Sequence, residues 1–439
     1  MKPTPPHDSA GAQTATIFAL SSGAPPAGIA VVRVSGPQAG DALRALAGTC
    51  PEARRAAART LRDGQGEMLD RALVLWLPGP GTATGEDIAE FHLHGGRAVV
   101  SAVEHALAAL PGLRAATPGE FTRRAFANGR IDLAEAEGLA GLLEAETELQ
   151  RRSAMALADG ALSHQVGEWR DRVLALSAEV EAVVDFSDEE DAAELPASFA
   201  QNAAGLTAEL GGWLARPRAT VLREGYRVVL AGPPNAGKST LFNSLLENEA
   251  AITSPIAGTT RDVLERSVAL AGIPFTFVDT AGLHEGDGGD AIETIGIARA
   301  HEQVARADLV LWLGEEGQGP AGAWEIDAKA DDRAGARIKG GGALALSART
   351  GFNMDCLRER LMAHARAAMP KPGEVALTER QAALLEEARA ALVGIAADGD
   401  PLIAAEHLRF ARSAFDRLTG RASTEDMLDA LFGRFCIGK

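Results

Sequence analysis

Cysteine is scarce in this chain of 439 residues, and Cys50, Cys356 and Cys436 are the only three. They cannot form a disulfide framework and have no zinc-ligand spacing, so no structural metal is expected beyond one that a nucleotide brings. Long apolar runs are also missing. None approaches the ~18 residues of a spanning helix, and Met1-Lys2-Pro3-Thr4-Pro5-Pro6 lacks the apolar stretch of a signal peptide, which predicts a cytoplasmic protein. Positive charge is in deficit: 43 Lys and Arg against 60 Asp and Glu leave a net −17. That field repels polyanions, so nucleic acid would need a local basic patch or a partner protein. Arg54, Arg55, Arg59 and Arg62 form one cluster and Arg123 with Arg124 a smaller one. Each reads first as the solvated face of a helix. The length predicts two or three domains.

One stretch carries clear chemistry. Gly232-Pro233-Pro234-Asn235-Ala236-Gly237-Lys238-Ser239 fits the phosphate-loop pattern G-x-x-x-x-G-K-[ST]. Tyr226 to Ala231 before it is an apolar, β-branched run that predicts a buried strand, and Ser239 to Leu246 after it has helical spacing. In that setting Asn235, Ala236, Gly237, Lys238, Ser239 and Thr240 would surround phosphate at a helix N-terminus, where backbone N–H groups favour an anion. Lys238 would reach the β- and γ-phosphates and Ser239 would hold Mg²⁺. Downstream, Gly258-Thr259-Thr260-Arg261-Asp262 and the strand ending in Asp279-Thr280-Ala281-Gly282 read as two nucleotide switches. Thr260 would complete the Mg²⁺ shell only beside a γ-phosphate, Asp279 would hold the metal through water, and Gly282 would offer its N–H to the γ-phosphate. Together these predict a GTPase-type domain binding GTP or GDP.

Two expected pieces are absent. Ala343 to Leu346 predicts a last strand, and Ser347-Ala348-Arg349 after it fits the turn whose N–H contacts guanine O6. Where Asn-Lys-x-Asp should follow a strand, however, the chain has Ala328-Lys329-Ala330-Asp331, and no asparagine occurs from Leu309 to Leu346. The place directly after switch II, where small GTPases keep a water-orienting glutamine, holds Leu283, which can neither donate nor accept a hydrogen bond.

Four segments are expected: a compact α/β domain over 1–125, a first helical segment over 126–223, the G domain over 224–369, and a second helical segment over 370–439. The first alternates strand-like runs (Ile29 to Val34, Ala72 to Leu77, Ile88 to His94) with helical ones such as Ala98 to Leu110. Leu133 to Val184 has three- and four-residue apolar spacing and no proline, which predicts long amphipathic helices. Pro370-Lys371-Pro372-Gly373 marks the exit of the G domain, and Leu377 to Ala397, Ile403 to Leu418 and Thr424 to Leu431 are again helical. The G domain is thus inserted in a discontinuous helical domain.

These motifs, with Ile292-Glu293-Thr294-Ile295-Gly296, Thr84-Gly85-Glu86-Asp87, His94-Gly95-Gly96, Pro118-Gly119-Glu120-Phe121-Thr122, Arg130-Ile131-Asp132-Leu133 and the ending Phe435-Cys436-Ile437-Gly438-Lys439, resemble the MnmE (TrmE) family of tRNA-modification GTPases. The resemblance covers nearly the whole chain. It implies a multidomain fold: an N-terminal α/β domain like that of folate-dependent enzymes, a discontinuous helical domain and an inserted Ras-like P-loop domain. It implies K⁺ held by Asn235, Ser254, the Ile256 carbonyl and Thr259, with Pro255, Ala257 and Gly258 completing the first switch around GTP, and Glu293 orienting the attacking water. It further implies 5-formyltetrahydrofolate held by Arg33, Glu90, Arg130 and Lys439, and a part for Cys436 in the modification. A homodimer working with the FAD-dependent partner MnmG (GidA) would then add a carboxymethylaminomethyl or aminomethyl group at C5 of the tRNA wobble uridine. Two rivals stand beside this reading: an RNA- or ribosome-associated nucleotide switch, and a scaffold whose guanine site is degraded at Ala328.

Overall fold

The computed structural model describes residues 15–185, 195–246, 250–251, 264–280, 301–331, 339–340, 342–371, 373–398, 400–422 and 424–438. The chain divides into two compact units, Met1–Ala140 with Asp416–Lys439, and Gly141–Phe415.

In the first unit β1 (Thr16–Leu20), β2 (Ala27–Ser35), β3 (Ala57–Arg62), β4 (Met68–Leu77), β5 (Ile88–Gly95) and β6 (Leu113–Ala115) form a sheet in the order β3-β4-β5-β2-β1-β6. Only the β1–β6 pair is parallel. Alternation along the strands separates its faces. Ala30, Val32 and Val34 of β2, Val74 of β4, and Phe91 and Leu93 of β5 are buried with Leu43 and Leu46 of α1 (Ala39–Ala47) and Val103 and Leu107 of α2 (Arg97–Ala108). Arg33, Glu90 and His92 fall on the other face, between those apolar positions. After the sheet follow α3 (Glu120–Ala127) and α4 (Leu133–Glu144); Leu133 and Ala136 of α4 are buried with Leu428, Phe432 and Phe435 around the late helix α13 (Glu425–Phe432).

Both arginine clusters depart in part from the solvated-helix expectation, although Arg123 does lie on helix α3 with its side chain partly exposed. Arg59 and Arg62 lie on edge strand β3, because Ala57 to Thr60 pair with Val74 to Arg71 of β4 and that pairing overrides the weak β preference of an Ala- and Arg-rich run. Arg124 lies on a helix, but it is buried.

The second unit contains α5 (Glu148–Ala158), α6 (Ala161–Asp185), α7 (Ala197–Leu214), α8 (Ala219–Glu224), α9 (Lys238–Leu246), α10 (Met354–Ala368), α11 (Glu379–Asp398) and most of α12 (Pro401–Thr419). Leu133 to Val184 forms three helices. Thr147 ends the first break with a capping box, its hydroxyl accepting from Gln150 N–H, and Gly160 at φ +83 makes the second. Trp169 of α6 is fully buried, edge-on to Trp213 at 5.4 Å, with its indole N–H donating to Glu209 at 2.9 Å. The sheet of this unit runs β13 (Leu344–Ala345), β12 (Trp324–Asp327), β11 (Leu309–Trp312), β7 (Tyr226–Ala231), β10 (Ile273–Asp279), β9 (Leu264–Leu270), β8 (Ala250–Ala251). Its inner strands β12, β11, β7 and β10 are parallel; β11, β7 and β10 are almost wholly buried, as helices covering both sides require, whereas β12 buries only Ile326.

Candidate functional site

The sheet order brings the phosphate loop and the second switch together. Strand β7 ends at buried Ala231, the loop follows, and α9 begins at Lys238. Parallel pairing sets Asp279, last residue of β10, opposite Leu230, so its carboxylate stands two residues from Gly232. Asp279 is fully buried. Thr280 next to it donates its hydroxyl to the Leu230 carbonyl at 2.8 Å, which fixes the strand end against β7. A side chain at Gly232 would be strained, since φ is +149 and a Cβ there would stand 3.0 Å from Gly314 N and 3.1 Å from Leu313 C. Lys238 is 3% exposed and donates to the carbonyls of Gly232 at 2.9 Å and Pro233 at 2.8 Å. Burial lowers its pKa, opposed by the attraction of Asp279. The lysine is therefore held inside the loop by the loop's own backbone, beside a buried carboxylate.

A second corner closes over the loop from β12 and β13. Leu346 N–H donates to Asp327 and Ala330 N–H to Leu346, and an antiparallel bridge joins Lys329 to Ser347. Lys329 Nζ donates to the Asn235 carbonyl at 2.7 Å. Asp331 is bonded by the Ser347 hydroxyl, which lowers its pKa together with its own N–H and nearby Arg349. Ala348 packs at the margin of the core. Ala328 faces the loop, with its Cβ 3.5 Å from where a side chain on Gly237 would begin. Lys329, Asp331 and Ser347 thus stand together although the asparagine is missing. Ser239 and Thr240 lie exposed at the start of α9. Ser254, Pro255, Ile256, Ala257, Gly258, Thr259, Thr260, Ala281, Gly282, Glu293 and Lys439 fall outside the described residues.

A polar site of a different kind lies on the first unit's sheet. Arg33 and Glu90 are cross-strand partners on β2 and β5, and the guanidinium holds Glu90 Oε1 through Nε at 3.0 Å and Nη2 at 2.9 Å. His92 Nε2 contacts the other oxygen at 3.2 Å. Sequence reasoning missed His92, although the two-residue period of β5 puts it beside Glu90. Arg130 is exposed beyond α3, its Cγ 3.2 Å from where a side chain on Gly85 would begin. Under this region runs an ionic network that the sequence did not suggest. Arg124 donates to both oxygens of Glu86 at 3.1 Å and to Glu120 at 3.1 Å, and Arg114 donates to Glu120 at 2.8 and 2.5 Å. Burial pushes the Glu120 carboxyl up, but the bonds from Arg114, the Thr117 N–H and Arg124 outweigh it and bring the pKa down to about 2. Cys436 is exposed.

The chain matches two family profiles, "GTP-binding protein TrmE N-terminus" over residues 16–130 and "MnmE helical domain" over 133–436. It is 65% identical to the "tRNA modification GTPase MnmE" of Erythrobacter litoralis, over 97% of this chain and 100% of that one. The chain belongs to the MnmE (TrmE) family of GTPases. Its identity to the proteins of the same name is 62% for Novosphingobium aromaticivorans, over 97% of this chain, and 60% for Rhizorhabdus wittichii, over 100% of it, each relative being covered fully. Membership agrees with the fold expected: an N-terminal α/β domain, a helical domain, and the nucleotide domain of a GTPase.

Proposed function

We propose that this MnmE-family chain is a Mg²⁺-dependent, K⁺-activated GTP hydrolase that acts as a homodimer with an FAD-dependent MnmG partner on tRNA. Together they would add a carboxymethylaminomethyl or aminomethyl group at C5 of the wobble uridine. The carrying observation is that Lys238 and Asp279 are both buried beside the phosphate loop, near enough for the carboxylate to act on the lysine's charge, while Lys329 holds the loop's Asn235 carbonyl: a cation for phosphate and a carboxylate for Mg²⁺, which a nucleoside triphosphate needs. Asp279 and the Ser239 hydroxyl are hard oxygen donors suited to Mg²⁺. Asn235, in the loop at φ +62, carries an amide oxygen that suits K⁺, with Ser254, Ile256 and Thr259 as further ligands. When bound, K⁺ supplies the positive charge that an arginine finger supplies elsewhere, which Leu283 cannot replace. Lys238 would neutralise the β- and γ-phosphates, Glu293 would orient the water, and Asp331 would accept from guanine N1–H and N2–H₂. Domains 1–125, 126–223, 224–369 and 370–439 would divide these tasks.

The second site fits a folate. Arg33 and Arg130, with Lys439, suit its glutamate carboxylates, while Glu90, held at one oxygen by Arg33 and the other by His92, suits pterin N–H groups. Cys436 would serve the modification itself. The degraded-scaffold rival loses ground because Lys329, Asp331 and Ser347 remain assembled. Nucleoside analysis of tRNA from a strain lacking this chain tests the reading: the C5 modification should vanish, and its persistence would leave the nucleotide switch or the scaffold.

A further inference from the structure

Within the first unit the chain's end is gripped at two places where a side chain has no room. Gly119, at φ +69, immediately precedes α3, and a Cβ on it would stand 2.1 Å from the Phe432 carbonyl oxygen. Its N–H points to the Cys436 carbonyl at 3.5 Å. Gly438, at φ +92, lies against the β1 end, where a Cβ would stand 2.1 Å from the Leu20 carbonyl oxygen and 3.0 Å from Ser21 Cα. Between these contacts the side chains of Cys436 and Ile437 point outward, while Phe435 before them is buried with Leu133 and Phe432. The backbone is held on both sides of Cys436, and the thiol is left accessible.

The turn that does the gripping is itself braced. Thr117 donates to Glu120 Oε2 through its N–H at 3.0 Å and its hydroxyl at 3.2 Å, and Arg114 and Arg124 hold the same carboxylate. Arg124 passes the brace to Glu86, which accepts from the Ser35 hydroxyl at 2.7 Å. Ser35 is two residues along β2 from Arg33, on the same face. Thus a continuous chain of charge-assisted hydrogen bonds, the stronger kind, runs from the strand that carries Arg33 to the turn beneath the chain's end.

We propose that residues 117–120 are a seat for the C-terminal segment and that Gly119 is the positioning residue that fixes Cys436 relative to the sheet bearing Arg33 and Glu90. This goes beyond the tRNA reading: the seat itself does not depend on it, and only the kcat expectation below rests on it. The competing explanation is that Gly119 is required only for its left-handed backbone. Gly48 separates the two, since it has a similar φ of +76 with nothing within 4 Å of an added Cβ. Gly48, at ψ −32, lies further from the left-handed basin that asparagine tolerates than Gly119 does at ψ +5, so Gly48→Asn carries at least the conformational cost without the clash.

The experiment uses the full chain with Cys50→Ser and Cys356→Ser and a nitroxide label on Cys436. Gly119→Asn should shift the label's spectrum from immobilised to mobile, whereas Gly48→Asn should leave it as in the parent. Glu120→Gln, which keeps the Thr117 acceptor but drops the charge, should give an intermediate spectrum and serves if Gly119→Asn does not fold. In unlabelled protein Gly119→Asn should lower kcat for tRNA modification at unchanged KM for tRNA, with GTP hydrolysis retained. An immobilised label in both Gly119→Asn and Glu120→Gln, or equal mobilisation by Gly48→Asn, would overturn the seat. A failure of tRNA modification in the parent itself would instead count against the functional reading, because the label measures position alone.

Discussion

Restoring the missing asparagine gives the sharpest test of the guanine corner. Ala328 faces the phosphate loop, with its Cβ 3.5 Å from the place of a Gly237 side chain, so the amide of Ala328→Asn would reach loop backbone groups without displacing a large neighbour. One or two net hydrogen bonds contribute about 0.5–1.5 kcal/mol each, and immobilising the new side chain takes back part of that gain. A net ~1 kcal/mol corresponds to roughly fivefold tighter GDP and GTP, since 1.4 kcal/mol is tenfold. The tether already present bounds the effect from the other side. Lys329 gives a charged hydrogen bond to the Asn235 carbonyl, a class worth about 1.5–3 kcal/mol when well shielded and less at this exposed position. Lys329→Ala should therefore weaken binding by at least as much as Ala328→Asn strengthens it. Titration with a fluorescent GDP analogue measures both, and competition by ATP reports base choice. Unchanged or weaker binding in Ala328→Asn would refute the argument; displacement by ATP as effective as by GTP in the parent would show that Asp331 no longer reads the base.

Three other outcomes are expected. Arg33→Ala, or deletion of Lys439, should abolish binding of 5-formyltetrahydrofolate while leaving GTP hydrolysis intact, and wild-type affinity in both variants would move that pocket elsewhere. Glu293→Ala should cut kcat with little change in GTP affinity, the pattern of an interaction made only in the transition state, and an unchanged kcat would return Glu293 to the solvated surface. The pKa of Glu120 in the fold, about 2, lies below the ordinary 4.5, so the unfolded state binds more protons between those values and stability is lost as pH falls through that window; acid titration should find Glu120→Gln less stable than the parent above pH 4.5, with the gap closing toward pH 2, and a constant gap would deny the ion pairs their part.

How much of this was legible in the sequence depended on whether a residue's neighbours in the chain are also its neighbours in space. The phosphate loop was readable because a buried strand, a glycine turn and a helix start lie in one continuous stretch, and β7 and α9 form there. Arg33 and Glu90 could be suspected singly, but their direct bond needed the β2–β5 register. Arg124 was misread because charge alone suggests exposure, whereas its partner Glu86 lies 38 residues away and brings it inside. Arg59 and Arg62 were misread because the local run has Thr60 as its one β-branched residue and only β4 makes it a strand. The helix breaks at Thr147 and Gly160 were written in capping chemistry, which an apolar period does not register. The seat beneath Cys436 joins residues more than 300 positions apart, and no local pattern announces it.

The central claim, that this chain hydrolyses GTP with a monovalent cation in place of an arginine or glutamine, is tested most directly by kcat of the full chain at saturating GTP in KCl and in NaCl at matched ionic strength. The account predicts a much faster reaction in KCl. Equal rates in the two salts would contradict it.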